Sequence, residues 1–450
     1  MIISDKVAYR FYSLKSGKKA ILLNVVTRKF IILDGLSAEL LEILVDNDQG
    51  KLHSWMETNE ISQSDLDEFV EELDLNYVWK HETSFSSINS FNEPNFYLQG
   101  DENDNRYLLN SIKEELYENN LYYTFHVDLT NKCNERCIHC YHPFDKYDYS
   151  SEMTFEAVKV LIDTIYRMGV FSVTLSGGES LLRNDFFDIL KYISDKGLLV
   201  SLYTNGILLT DNVVKELSKY RINNVSISIY GDTSELHDSI TNIKGSFDKT
   251  LQGINQLKKY QIPFNLKCVI LRENIDHIEN IRSFLKSLNN GEEPLLDFTL
   301  CGKLDGDCSV YNHKACYEQI QNVFHSDPSF YIGAKENYTR GPNDFPCGAG
   351  RSGLYCSADG KIYPCVSFRL FLCDYTNLLE IHHNSILQKW LQTRISDFTD
   401  CFKHDYCQYC TEQCAGNNMI ENNDYLNSHV SHCEYAKIIY NWFNNRKKQI

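Results

Sequence analysis

Two short apolar runs, AILLNVV and FIILDG, flank the polar stretch Thr27–Arg28–Lys29. β-branched residues around a polar turn predict a β-hairpin. Next, LSAELLEILVDND places apolar residues at Leu40, Leu41, Ile43 and Leu44, a helical spacing with Ser37 as its expected N-cap. SQSDLDEFVEELDL opens with a capping-box pattern, Ser64 to Asp67, and repeats apolar residues at Leu66, Phe69, Val70 and Leu73. Residues 1–81 therefore read as a small α+β unit. Residues 82–106 are polar and rich in Ser and Asn, the composition of a linker, taken here to run to residue 120.

From 121 to 305 the pattern becomes short apolar runs separated by amphipathic stretches. YTFHVDLT, SVTLSGG, LLVSLYTNG, NVSISIYG, FNLKCVILREN and LLDFTLCGKL are strand candidates, with helical periodicity over 153–168, 185–196, 211–220, 247–260 and 275–288. Strands with helix-length connections are the signature of βα units and a parallel sheet. The expected class is α/β, an open, partial (β/α)6 TIM-like barrel, since six units fall short of the eight of a closed one. A doubly wound sheet is the second choice. In either fold functional groups gather at the C-terminal ends of the strands. The polar or Gly-rich segments fall there: a cysteine cluster, SGGES, TNG, YGD and REN. Residues 306–346 read as a bridge and 347–450 as a separate cysteine-rich unit.

Composition narrows the partners. A formal net charge of −17 disfavours a nucleic-acid backbone. No apolar run is long enough to span a membrane, and the N-terminal stretch lacks the apolar core of a secretory signal, so a cytoplasmic protein is expected. In that compartment 16 cysteines point to metal or redox chemistry rather than to a disulfide framework. None precedes Cys133, and nine lie between Cys347 and Cys433.

NKCNERCIHCYHPFD sets Cys133, Cys137 and Cys140 in a C-x3-C-x2-C spacing. His139 or His142 could complete a zinc site. A [4Fe–4S] cluster normally takes four thiolates, so three leave one iron open to a small molecule. An open position is the general logic of catalytic metal sites.

These cysteines, with Ser176–Gly177–Gly178–Glu179 on the next strand, resemble the radical S-adenosylmethionine enzyme superfamily. The resemblance implies that the open iron chelates the amino and carboxylate groups of S-adenosylmethionine. Gly178 and Glu179 match the loop at the methionine amino group; backbone carbonyls or a carboxylate suit an ammonium. His139 takes the position beside the adenine. Asn205 and Ser228 take positions of ribose or carboxylate contacts. The implied chemistry is one-electron reduction of the sulfonium to methionine and a 5′-deoxyadenosyl radical, which abstracts a substrate hydrogen.

Cys347-x12-Gly360-x4-Cys365, with Asp359–Gly360 as a hairpin turn, resembles the SPASM extension of the same enzymes, which holds up to two auxiliary [4Fe–4S] clusters. Cys401-x5-Cys407-x2-Cys410-x3-Cys414 departs from the common order by exchanging the x5 and x2 gaps. The resemblance implies Cys347, Cys365 and Cys414 at an inner cluster and Cys401, Cys407, Cys410 and Cys433 at an outer one, three clusters in all. The inner set lacks a clear fourth ligand; Cys356, Cys373 and the 301–316 group are candidates, or the site is open to substrate. Cys356 and Cys268 also read as small core residues.

The front unit resembles the peptide-recognition element of ribosomal peptide maturases, a small winged-helix-like fold. It implies that a leader peptide adds a strand to an exposed sheet edge and tethers the precursor near the barrel. The expected function is a peptide maturase that installs an intramolecular cross-link, thioether or carbon–carbon or ether. It would draw electrons from an external one-electron reductant of flavodoxin or ferredoxin type. The alternatives are a formylglycine-generating enzyme of the anaerobic sulfatase-maturase kind and, in another class, a non-catalytic iron–sulfur carrier or peptide-binding protein.

Overall fold

The computed structural model describes residues 2–76, 78–80, 102–143, 148–326 and 341–399, and then residues 401, 403–410, 414–428, 433, 436–441 and 444. The front unit is a three-stranded antiparallel sheet, β1 (Val7–Leu14), β2 (Gly17–Asn24) and β3 (Phe30–Asp34), followed by α1 (Gly35–Asp46), α2 (Gln49–Thr58) and α3 (Gln63–Leu75). The predicted hairpin is β2–β3, paired Leu23 to Phe30 through Lys19 to Asp34. The helix starts differ from expectation. Asp34, not Ser37, is the N-cap of α1, because Gly35 already has helical hydrogen bonding. The capping box of α3 lies two residues earlier than read: Asp65 N–H donates to Ser62 Oγ at 3.2 Å, and Ser62 N–H donates to Asp65 Oδ2 at 2.8 Å. Ser64 falls inside the first turn. The linker is also corrected. Residues 82–101 lie outside the described residues, but α4 (Glu102–Glu118) is a helix that buries Ile112 and Leu116.

The barrel strands are β4 (Thr124–Thr130), β5 (Ser172–Gly177), β6 (Leu199–Thr204), β7 (Ile222–Ser228), β8 (Phe264–Val269) and β9 (Leu295–Asp297). They pair in parallel and in chain order. A doubly wound sheet reverses its order at a switch point; this one does not, so the partial barrel holds. Its helices are α5 (Phe155–Arg167), α6 (Phe186–Asp195), α7 (Asp211–Leu217), α8 (Ser234–Thr241), α9 (Ser246–Lys259) and α10 (Ile278–Leu288). Helix α8 escaped the sequence reading: SELHDSIT is too short and polar to show a period.

Strand alternation builds two unlike surfaces. Phe125, Val127, Leu129, Val173, Leu175, Val200, Leu202, Val225, Ile227, Phe264, Leu266 and Cys268 join the buried core beneath the helices. The residues between them, including His126, Asp128, Thr174, Ser176, Ser201, Tyr203, Ser226, Asn265 and Lys267, fall on the opposite, lumen face. A closed TIM barrel fills its interior with bulky branched residues; here the lumen is lined with polar groups. Cys268 belongs to the apolar face, as a core residue.

The C-terminal unit continues the same sheet. Strand β10 (Gly353–Cys356) pairs in parallel with β4, Gly353 opposite Thr124 through Cys356 opposite Val127. Strands β11 (Lys361–Tyr363) and β12 (Cys373–Asp374) follow antiparallel. The Asp359–Gly360 turn is present, with Gly360 at φ 82°. Cys356 is fully buried beside Val127 in the apolar core, the place of a small core residue. Helices α11 (Tyr317–Ser326), α12 (Ser385–Gln392) and α13 (Ala415–Asn422) follow the barrel in the chain. Among the described residues no helix is long and apolar enough to cross a membrane.

The front unit is docked. One face of its sheet packs on α1–α3; the other buries Ala8, Tyr12, Ile21 and Leu23 against Ile112 and Leu116 of α4 and against Phe171 and Leu199 of the barrel. This explains why AILL on β2 shows no alternation: both faces are covered. Strand β1 is tied to the barrel by polar bonds. Tyr12 O–H donates to the Gly169 carbonyl at 3.0 Å, and Tyr9 N–H to that of Gly197 at 3.4 Å. Arg10 bonds the Tyr166 carbonyl and stacks 4.1 Å from its ring. Leu116 is fully buried at this junction. Leu116→Ala should destabilise the protein by about 2–5 kcal/mol through the cavity it leaves, read as a lower urea midpoint.

Candidate active site

The cysteine loop leaves β4 at Thr130 and is fixed at both ends. Thr130 Oγ1–H and Asn131 N–H both donate to the Glu152 carboxylate, at 2.9 and 2.8 Å. Further on, Arg136 N–H and Ile138 N–H donate to the carbonyls of Thr241 and Ile240, each at 3.0 Å, at the end of α8. The missed helix is thus the shelf on which the loop rests.

The SGGE segment lies directly against this loop. Gly178 N–H donates to the Thr130 carbonyl and Glu179 N–H to that of Lys132, each at 2.8 Å. Both glycines are required by this approach. A Cβ on Gly177, whose φ is 131°, would overlap the Thr130 carbonyl oxygen, and one on Gly178 would overlap that of Lys132. Glu179 is fully buried, and both of its oxygens are engaged. Oε1 accepts from Leu181 N–H at 3.1 Å; Oε2 accepts from Thr204 Oγ1–H at 2.7 Å and Asn205 N–H at 3.0 Å. The carboxylate thus ties the loop after β5 to the end of β6. Burial raises its pKa, and three hydrogen bonds work against that rise. Asn205 Nδ2–H in turn donates to Asn134 Oδ1 at 2.7 Å, inside the cysteine loop. The Glu179 carboxylate joins the loops after β5 and β6, and Asn205 carries the link on to the cysteine loop after β4; Thr204 is a member that the sequence did not single out.

His139 is packed edge-on to Tyr230, ring centres 4.7 Å apart, and burial lowers its pKa to about 4, so its imidazole is neutral. A neutral flat ring between two cysteines suits a purine neighbour. Ser228 ends β7 opposite Lys267, and its hydroxyl bonds the Tyr230 phenol. It shares the rim with Asn205.

Cys133, Cys137 and Cys140 lie within charge range of one another. Burial first, and neighbouring charge next, push Cys133 up to about 12 and Cys137 well above its ordinary value; burial raises Cys140 to about 11. Such thiols ionise only against a strong positive group, which iron supplies. A [4Fe–4S] cluster binds each thiolate at a separate iron, and three neighbouring thiols fit such a group.

In the C-terminal unit, Cys365 lies within charge range of Cys414 and Cys347. Cys407 and Cys410 are adjacent on one turn, Cys410 N–H donating to the Cys407 carbonyl at 3.0 Å. Cys433 and Cys407 both face Tyr406. Cys401 stands beside Ser428, their Sγ and Oγ 3.2 Å apart.

Behind the cysteine loop lies a charged network that the sequence reading missed. Asp128, on the lumen face of β4, is fully buried; Tyr355 O–H of β10 donates to its Oδ2 at 2.5 Å, and Arg369 donates to the Tyr355 oxygen at 3.0 Å. His126 Nε2 lies 3.4 Å from Asp128 Oδ1, and His142 Nε2 lies 3.9 Å from Oδ2. Burial would raise the Asp128 pKa, but His126, His142 and Tyr355 hold it below the ordinary carboxylate value. A buried carboxylate beside two imidazoles can hold or accept a proton at the lumen wall.

Residues 127–285 match the family model of the Radical SAM superfamily. The segment bearing this rim is a radical SAM domain, and that family implies a [4Fe–4S] cluster and S-adenosylmethionine. AdoMet-dependent heme synthase of Methanosarcina barkeri is 35% identical over 198 residues, 44% of this chain and 56% of that protein. Mycofactocin maturase MftC of Mycolicibacterium smegmatis is 31% identical over 153 residues, 34% of this chain and 38% of that protein. The chain thus spans about half, or less, of the length of these curated relatives. Among solved structures, Streptococcus suis SuiB bound to precursor peptide SuiA aligns with a TM-score of 0.60 at 17% identity, covering 96% of this chain and 99% of that one. At that identity the likeness concerns the fold.

Glu179→Gln keeps the shape but turns an N–H group toward donors. It should lower S-adenosylmethionine affinity at least about tenfold, the equivalent of one lost charged hydrogen bond, with first-cluster iron retained. Equilibrium dialysis and iron analysis of the reconstituted protein measure the two separately.

Proposed function

We propose that the chain is a radical S-adenosylmethionine peptide maturase, which binds a ribosomally made precursor peptide and installs an intramolecular cross-link. The observation that carries this reading is the free edge of β3. Strand β1 is bound to the barrel and β2 is central, whereas β3 pairs only with β2 among the described residues. Asn24 N–H donates to the Lys29 carbonyl at 3.0 Å; continuing the register turns the backbone groups of Ile31 and Leu33 toward β2 and those of Phe30 and Ile32 outward. That is an open row of donors and acceptors for a leader peptide, on a unit rigidly docked beside a polar lumen. Residues 1–81 would serve recognition, 121–305 the radical chemistry and 347–450 the auxiliary clusters. Supporting the reading, the fold likeness to SuiB extends over the front unit as well as the barrel, and MftC is a maturase by name.

When bound at Cys133, Cys137 and Cys140, the first cluster with S-adenosylmethionine supplies a 5′-deoxyadenosyl radical that takes a hydrogen atom from the substrate. The residues of this chain do the rest. The carbonyls of the Gly178 loop orient the methionine ammonium, His139 packs on the adenine, and Asn205 and Ser228 hold ribose or carboxylate. The lumen residues position the core peptide, and Asp128 with His126 stands ready for the proton that cross-linking releases. Cys347, Cys365 and Cys414, and the set Cys401, Cys407, Cys410 and Cys433, would hold two auxiliary clusters. An auxiliary cluster held there would supply an acceptor for the surplus electron, and a one-electron reductant of flavodoxin or ferredoxin type in the cytoplasm would be the external electron donor.

A second reading follows from the 35% identity to the M. barkeri heme synthase: the same radical applied to a tetrapyrrole. The two separate in one anaerobic assay. Reduced, reconstituted protein is incubated with S-adenosylmethionine and either the short peptides encoded beside its gene or an iron tetrapyrrole. A peptide product two hydrogens lighter supports the maturase. A product on the tetrapyrrole alone supports the second reading, and about 18 mass units lost from a Cys or about two from a Ser side chain without cross-linking would instead favour formylglycine chemistry of the sulfatase-maturase kind only if it survives removal of residues 1–80. Ile32→Pro removes an outward N–H without touching the β2 ladder. It should weaken binding of the modified peptide about tenfold or more, by fluorescence anisotropy, and leave peptide-free 5′-deoxyadenosine formation unchanged.

A further inference from the structure

The inner auxiliary set, Cys347, Cys365 and Cys414, has three members on the reading above, and the identity of the fourth ligand decides whether its cluster is closed. We propose that Cys301, beyond the last barrel strand, is that ligand, so that the inner cluster is wholly protein-bound and offers no iron to a substrate thiol. This rests on the reading of the C-terminal unit as a cluster domain.

Three contacts bring Cys301 to this place. Its Sγ lies 3.2 Å from Ser367 Oγ, two residues beyond Cys365, and the Cys365 Sγ accepts from Phe368 N–H at 3.3 Å in the same turn. On its other side, Asn417 Nδ2–H, three residues beyond Cys414, donates to the Leu300 carbonyl at 3.0 Å. Gly302 is pressed against Ile420 of α13, where a Cβ would overlap the isoleucine side chain, and its N–H donates to Tyr311 Oη at 3.0 Å. The segment Leu300–Gly302 is thus clamped between the turn after Cys365 and the helix after Cys414. The turn and the helix also meet directly, since Gly416 lies against the Ser367 carbonyl with no room for a side chain. The Cys301 thiol is within charge range of those of Cys414 and Cys365.

The other candidates lie elsewhere. Cys356 is in the apolar core. Cys373 pairs with Ile362 on the far strand of the hairpin. Cys308 and Cys316 are exposed, Cys308 directed at the Gly306 carbonyl and the backbone of Cys316 at Gln319. The clamped segment also reaches the first centre: Leu304 N–H donates at 2.9 Å to the carbonyl of Tyr141, the neighbour of Cys140. The chain from Leu300 to Leu304 therefore runs from the inner cysteine set to the cysteine loop.

The test uses the full-length protein with Cys133, Cys137 and Cys140 replaced by alanine, so that only auxiliary clusters load. After anaerobic reconstitution, iron and sulfide are counted, and the dithionite-reduced protein is examined by electron paramagnetic resonance with and without 2-mercaptoethanol. Cys301→Ala should either lose one cluster's iron or keep the cluster with a spectrum that shifts on adding the thiol. Cys301→Ser, nearly isosteric, should alter the spectrum with the circular dichroism of the parent retained. Cys308→Ala and Cys316→Ala should match the parent. If both Cys301 variants keep full iron and a thiol-insensitive spectrum while Cys365→Ala loses iron, the fourth-ligand assignment falls and the cluster domain stands. If Cys365→Ala also keeps full iron, the cluster domain itself falls and this assignment with it.

Discussion

Everything in the molecule is referred to one strand. β4 pairs with β5 on one side and with β10 on the other, both in parallel. A parallel pairing between elements more than two hundred residues apart has a high loop-closure entropy, and it holds because both strands are covered by apolar side chains. Val127 and Leu129 of β4 and Leu354 of β10 share one core with the helices of both units. From this strand the cysteine loop departs at its end, and Asp128 projects at its middle. The Asp128–Tyr355 hydrogen bond crosses the boundary between units, so barrel and C-terminal unit are one folded body with a charged seam.

The front unit obeys a related constraint. Its sheet is too small to be stable on one face alone, and both faces are used: one on its own helices, one on α4 and the barrel. Covering the second face fixes which edge is left. β1 is committed by Arg10, Tyr12 and Tyr9, so β3 carries the exposed ladder. An exposed strand edge invites pairing, so this edge is the place on the front unit where a further strand can add.

Much of this was legible in the residues. The six barrel strands follow from short apolar runs with helix-length spacers, and their order leaves little freedom once the connections are right-handed. C-x3-C-x2-C and SGGE were visible because each depends on local spacing. What escaped has physical reasons. Helix α8 is eight residues long with polar residues on much of its surface, and its role as a shelf for the cysteine loop is long-range. The capping box of α3 was misplaced because SQSD contains two serines at compatible offsets, and only tertiary packing of Leu66 and Leu73 selects between them. Asp128 looked like one polar residue of an alternating strand; its meaning comes from Tyr355 and Arg369, which are distant in the chain. Cys301 was one of three neighbouring cysteines until the helix after Cys414 was seen to lie against it.

The polar lining of the lumen has a consequence for how such an enzyme changes. Stability resides on the outer face of the strands, where Phe125, Leu175, Leu202 and Ile227 are locked under helices. The inner positions, His126, Thr174, Ser201, Tyr203, Asn265 and Lys267, are largely absent from that core, so most replacements there disturb folding little. The groups free to meet a ligand and those that hold the fold thereby lie on opposite sides of the same strands. A lineage can revise one without endangering the other, and a protein engineer seeking a new substrate has the same freedom at the same positions.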